Sequence, residues 1–193
     1  MPIIISPSIL GGSFSNMEKT ILEINESRAE YIHFDVMDGD FVPNLTFGPQ
    51  FIDNLRSYSN KVFDVHLMIN RVEKFIDNYI EAGSDIISFH VEIEDDIKSL
   101  ISRIKKNNIK CGIAIKPKTP WNKIQPYLDD IDQVIVMTVE PGFGGQVFMS
   151  DQINKIKNIS EYIKSENLVV KIEIDGGINY ETGKTCIEVG ADI

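Results

Sequence analysis

Apolar runs of strand length alternate along the chain with stretches whose apolar positions recur every three to four residues, which predicts an α/β protein with a parallel sheet. Residues 3–8 read as a first strand and 17–27 as a helix with Glu and Lys on its exposed face. A second strand ends at Asp35, and the loop 37–48 leads to Pro49 in the first turn of a helix. Strands three to seven are expected at 61–66, 85–90, 110–116, 133–138 and 168–175. Val72, Phe75, Ile76, Tyr79 and Ile80 show helical spacing, and further helices are expected at 95–106, after Pro120, at 150–164 and at 180–189. Ala191-Asp192-Ile193 looks like the opening of an eighth strand. Seven βα units and the start of another predict a single-domain (β/α)8 TIM barrel over 1–193, with its chemistry at the C-terminal strand ends. Because such barrels typically run to about 250 residues, the last βα unit is expected to be missing after Ile193. The first and seventh strands would then keep open edges. Leu10-Gly11-Gly12-Ser13 lacks the spacing of a dinucleotide fingerprint, which counts against an open doubly wound sheet.

All three histidines end predicted strands. His33 and Asp35 are two residues apart in Tyr31-Ile32-His33-Phe34-Asp35, so both side chains leave one face. His66 closes Val62-Phe63-Asp64-Val65-His66, and Asp175 closes Val170-Lys171-Ile172-Glu173-Ile174-Asp175. Two imidazoles and two carboxylates converging from three strand ends would suit one divalent metal ion: zinc, iron, manganese or cobalt. His90 ends its strand without a same-face carboxylate before it and reads as a polar lining or supporting residue. The turns Glu140-Pro141-Gly142-Phe143-Gly144-Gly145-Gln146 and Asp175-Gly176-Gly177 fall in adjacent βα loops, a pattern that points to a phosphorylated substrate. Neither contains Lys or Arg, so backbone amides and helix dipoles would hold the phosphate.

Composition narrows the choice. With 193 residues, 42% hydrophobic and 25% charged, the chain suits one soluble globular domain. A net charge of −10 argues against nucleic acid and anionic membranes, and requires local features to hold an anionic substrate. There is no apolar run of bilayer length and no charged segment followed by a hydrophobic one at the N-terminus, so a cytoplasmic location is expected. Cys111 and Cys186 have no framework spacing and are expected as buried free thiols.

Ile5-Ser6-Pro7-Ser8-Ile9-Leu10, His33-Phe34-Asp35-Val36-Met37-Asp38-Gly39, Phe41-Val42-Pro43-Asn44, Asp64-Val65-His66-Leu67-Met68, Met137-Thr138-Val139-Glu140-Pro141-Gly142-Phe143-Gly144-Gly145-Gln146 and Glu173-Ile174-Asp175-Gly176-Gly177 together resemble the ribulose-phosphate 3-epimerases. The resemblance implies a ribulose-phosphate-binding barrel that interconverts D-ribulose 5-phosphate and D-xylulose 5-phosphate in the pentose phosphate pathway. It also implies His33, Asp35, His66 and Asp175 as metal ligands, with Asp35 and Asp175 as the acid and base pair. Ser8, His66 and Asp175 would contact substrate, and Met37, Met68 and Met137 would line the sugar pocket. Gly142, Phe143, Gly144, Gly145, Gly176 and Gly177 would bind the phosphate, and a homo-oligomer is expected.

The chemistry agrees, since epimerising a carbon beside a ketone removes a proton from one face and returns one to the other. Gly11-Gly12-Ser13-Phe14 and Asp40 depart from the family's usual residues, and its final strand and Gly-Ser or Gly-Thr phosphate loop are not found before Ile193. An allulose 6-phosphate epimerase and an inactive sugar-phosphate-binding fragment remain as alternatives.

Overall fold

The computed structural model describes residues 3–193. Its sheet contains six parallel strands in chain order: β1 (Tyr31–Met37), β2 (Val62–Met68), β3 (Ile86–His90), β4 (Lys110–Ile115), β5 (Gln133–Met137) and β6 (Lys171–Asp175). Helices α1 (Met17–Glu26), α2 (Pro49–Arg56), α3 (Val72–Glu81), α4 (Ile97–Lys106), α5 (Gln152–Ser165) and α6 (Tyr180–Glu188) carry the chain around it. Their starts follow local chemistry. Pro49 opens α2, the Asp96 carboxylate accepts from the Lys98 and Ser99 amides, and Asn179 and Thr182 form a reciprocal cap on α6.

The sheet is strongly curled. β1 and β6 stand at opposite ends of the strand order, five strand spacings apart, which on a flat sheet would be roughly 24 Å. Yet His33 Nδ1 of β1 lies 3.3 Å from Glu173 Oε1 of β6. Curling divides the strands into two faces. Ile32, Phe34 and Val36 of β1, Phe63, Val65 and Leu67 of β2 and Ile113 of β4 turn outward into the main apolar core beneath the helices. The alternate positions turn inward, where His33, Asp35, Asp64, His66, Ser88, His90, Gln133 and Glu173, all buried, share the interior with small apolar clusters that include Met37 and Met68 and Ala114, Ile135 and Met137. Gly112 faces this interior, where a Cβ would lie 2.1 Å from Ser88 Oγ, so β4 must be bare there to let its neighbour fit.

Two elements differ from expectation. Residues 3–8 do not form a regular strand, although the Ile5 carbonyl accepts from the Glu30 and Tyr31 amides and the Pro7 carbonyl from the His33 amide. Pro7 has no amide hydrogen and the Ile5 amide donates to the Glu30 carboxylate, so pairing with β1 reduces to an isolated bridge between Ser8 and His33. After Pro120 the chain makes two 3-10 turns, Trp121–Lys123 and Gln125–Tyr127, rather than an α-helix, because Pro126 interrupts the amide ladder. At the far edge, Ile172 O accepts from the Asp192 and Ile193 amides, Ile193 O accepts from Ile174, and the Ile4 amide donates to Asp192 O at 2.9 Å. The edges expected to stand open therefore both exchange hydrogen bonds with residues 192–193. Both cysteines are free and buried, as expected. No helix among the described residues is long and apolar enough to cross a membrane.

Candidate active site at the strand ends

The parallel register sets the site. β1 and β2 pair with His33 opposite Asp64 and Asp35 opposite His66, and β5 and β6 pair with Met137 opposite Asp175. One ligand atom each from His33, Asp35, His66 and Asp175 falls within 4.8 Å of the others. His33 Nε2 is 3.4 Å from Asp35 Oδ1 and 3.9 Å from Asp175 Oδ2, while His66 Nδ1 is 3.6 and 3.4 Å from the same two oxygens. These two ring nitrogens are buried and have no hydrogen-bond partner. Neighbouring ligand atoms around a tetrahedral ion with bonds of about 2.1 Å stand roughly 3.4 Å apart. The donor set, its spacing and the orphaned nitrogens fit a divalent ion of nitrogen and oxygen preference.

Each imidazole is also held from behind. Asp64 Oδ2 and Glu173 Oε1 lie 2.9 and 3.3 Å from His33 Nδ1, and Gln133 Nε2 donates to both acids. His66 Nε2 meets His90 Nε2 at 2.9 Å, His90 Nδ1 meets Glu92 Oε2 at 3.1 Å, and Glu92 Oε1 accepts from the Lys116 amide. Phe41 packs against the His90 ring at 4.8 Å between centroids. Ser8 Oγ donates to Asp35 Oδ2 at 2.5 Å and accepts from the Leu10 amide, fixing the outer oxygen of that carboxylate. Asp175 ends β6, with its carbonyl held by the Thr138 amide and hydroxyl, and its side chain is 22% exposed against 7% for Asp35.

Burial and charge set the protonation states. Burial alone would raise Asp35, but His33 and His66 hold it well below the usual carboxylate range. Burial would lower both histidines; Asp35, Glu173 and Asp64 outweigh it at His33, while Asp175 and Asp35 push His66 up to about 9. Burial lowers His90 to about 4 despite Glu92. Burial and then the Asp64 carboxylate drive Glu173 above the usual range.

The cluster opens onto a cavity of about 920 Å³. Ser8, His33, Asp35, Met37, Met68 and Met137 line it, as do Asp175 and the glycine turns at 142–145 and 176–177. His66 lies behind this wall and is not among the lining residues. Gly176 and Gly177 hold positive φ, and a Cβ on Gly177 would sit 2.6 Å from the Phe148 amide nitrogen. Gly144 faces open space. Residues 146–151 separate the first glycine turn from α5, and Asn179 already accepts from the Glu181 and Thr182 amides of α6. Sequence reasoning passed over Asp64, Gln133, Glu173 and Glu92. Asp64 and Glu173 each stand two residues before a singled-out ligand, so the period of two already placed them on its face.

Fold and site together define a protein with a curled parallel α/β sheet whose inward-facing His and Asp side chains could hold a metal ion beside an open cavity. In architecture it is similar to 3-dehydroquinate dehydratase from Geobacillus kaustophilus HTA426, with a TM-score of 0.68 and 11% identity over 100% of this chain and 80% of the other. It is also similar to a mutant tryptophan synthase alpha-subunit from Pyrococcus furiosus, with a TM-score of 0.69 and 12% identity over 96% and 82%. Both neighbours speak to the fold alone. In sequence, residues 4–193 match the Ribulose-phosphate 3 epimerase family, to which the chain belongs. The ribulose-phosphate 3-epimerase of Bacillus subtilis (strain 168) is 39% identical over 190 residues, covering 98% of this chain and 88% of the relative. That of Rhodobacter capsulatus is 42% identical over 189 residues, covering 98% and 82%.

Proposed function

We propose that this chain, like the ribulose-phosphate 3-epimerases it is similar to, interconverts D-ribulose 5-phosphate and D-xylulose 5-phosphate, with Asp35 and Asp175 exchanging protons with opposite faces of one sugar carbon. The observation that carries this reading is the pair of carboxylates brought from strands at opposite ends of the sheet order to one cavity, each within 4 Å of both orphaned ring nitrogens. One aspartate removes the proton at C3 of the sugar, and the other returns a proton to the opposite face. Ser8 holds the outer oxygen of Asp35, so its remaining oxygen keeps a fixed direction. Met37, Met68 and Met137 supply aprotic walls that offer no competing proton donor.

His33, His66, Asp35 and Asp175 would hold one divalent ion, which as a Lewis acid at the ketone supplies a contribution on the order of several kcal/mol. The amides of Gly142, Gly144, Gly145, Gly176 and Gly177, with Phe143 beside them, would bind the phosphate. Residues 4–8 and 191–193 would serve as the two remaining staves of an eight-stave barrel, a reading supported by the Ile4 to Asp192 hydrogen bond. The test is solvent isotope exchange into C3 of ribulose 5-phosphate with the metal-loaded chain. Exchange at catalytic rates is expected; none, or faster exchange into allulose 6-phosphate, would overturn the assignment.

A further inference from the structure

His33 and His66 face the cluster through different ring atoms, Nε2 and Nδ1, and each must carry its proton on the other nitrogen to bind a cation. For His33 the arrangement is direct, because Asp64 lies 2.9 Å behind Nδ1. For His66 the atom behind is another imidazole nitrogen, and two such atoms at 2.9 Å must share one hydrogen. Which ring donates is decided one step further back, at Glu92. Its Oε1 is taken by the Lys116 amide and its Oε2 accepts from His90 Nδ1. A neutral His90 protonated at Nδ1 offers a bare Nε2, so the shared hydrogen belongs to His66 Nε2 and the lone pair to His66 Nδ1.

We propose that Glu92 and His90 form a two-link relay that keeps a hydrogen on His66 Nε2, so that Nδ1, which faces Asp35 and Asp175, is the nitrogen left to bind a cation. Both are positioning residues, acting through His66 rather than touching substrate. The packing supports a single arrangement. His66 and His90 are fully buried, their rings meet edge to edge with centroids 5.0 Å apart and planes 26° apart, and Phe41 covers His90. The relay also places a hydrogen-bonded partner behind a ligand nitrogen, the arrangement that raises ligand basicity and fixes ring orientation in metal sites.

The inference rests on His66 as a ligand, so the two claims need separate readouts. The first is ring ¹⁵N NMR of the full chain, metal-free and loaded with zinc alone, in which only three histidines contribute. His90 protonated at Nδ1 and bare at Nε2 is expected in both states, and the opposite tautomer overturns the relay whatever the chain does with zinc. The second is zinc affinity. His90→Leu should weaken binding about 10- to 100-fold, while His90→Gln, whose amide oxygen can accept from His66 and whose NH2 can reach Glu92, should recover most of it. Equal affinity in wild type and a folded His90→Leu variant would overturn the relay. If His90→Leu does not fold, the wild-type tautomer decides. A wild-type chain that binds no zinc would remove the metal reading and leave the tautomer as the test of the relay.

Discussion

The cluster around His33 sits on paired strands, where its acids and ring nitrogens meet groups from neighbouring strands, whereas the rim from Gly142 to Gly145 sits on a loop held at a few points. Gln146 donates to the Glu140 and Phe143 carbonyls, and Asn44 reaches across to the Gly142 carbonyl at 2.7 Å. Strand pairing fixes direction, so the cluster suits chemistry in which small displacements are costly. Loop amides need only surround a charged group and can do so without any cation. Gly176 and Gly177 are intermediate, since they lie in a loop yet leave no room for a Cβ against Val139 and Phe148.

The largest break in this comparison should come at the carboxylates. Asp35→Asn and Asp175→Asn should each lower kcat by about 10²- to 10⁴-fold with thermal stability largely retained. Metal content is measured alongside, because either change also removes a ligand. Near-normal turnover in either variant would end the two-carboxylate mechanism.

Next comes pH. In the metal-free chain His66 keeps its proton until about pH 9, and an ion must displace that proton from Nδ1. His33 is likewise held well above its ordinary value, so apparent metal affinity should rise between pH 7 and 9 by up to about tenfold per pH unit for each ring proton displaced. Stability runs the other way. Because the folded value lies above the ordinary 6.5, the contribution of protonated His66 is full below about 6.5 and is lost as pH climbs through about 9. Calorimetric titration and melting of the metal-free chain check both slopes; an affinity independent of pH would show that no proton is displaced.

Gly177→Ala tests the tight part of the rim. A Cβ there meets the Phe148 backbone at positive φ, so the change should destabilise the fold by about 1–3 kcal/mol, read as a lower denaturation midpoint. Gly144→Val tests the open part and should leave the midpoint unchanged while raising KM about tenfold. The exposed Lys118, paired with Glu140, should matter least, and Lys118→Ala should alter KM less than twofold. A larger effect at Lys118 than at Gly144 would replace amide binding of the phosphate with cation binding.

Much of the cluster was legible because strands alternate their faces. His33 with Asp35, and the strand-end positions of His66 and Asp175, could be read from a period of two in short β-runs. The same period carried Asp64 and Glu173, but a carboxylate two residues before a ligand gives no sign that it will turn toward a histidine on a neighbouring strand or on a strand across the sheet. The run Ile3-Ile4-Ile5 reads as a strand by composition, yet its ladder is incomplete, since hydrogen-bond partners depend on Pro7 and on a distant Glu30.

By itself the sequence determined most of the order of strands and helices, the shared face of His33 and Asp35 and the motif set that marks the family, because these depend on local spacing and residue type. Tertiary structure alone decided that β1 and β6 meet, that residues 192–193 exchange hydrogen bonds with β6 and accept one from Ile4, and that His90 stands behind His66. Those facts depend on how far the sheet curls and on the register of each parallel pair, which accumulate over all six strands and are encoded at no single position.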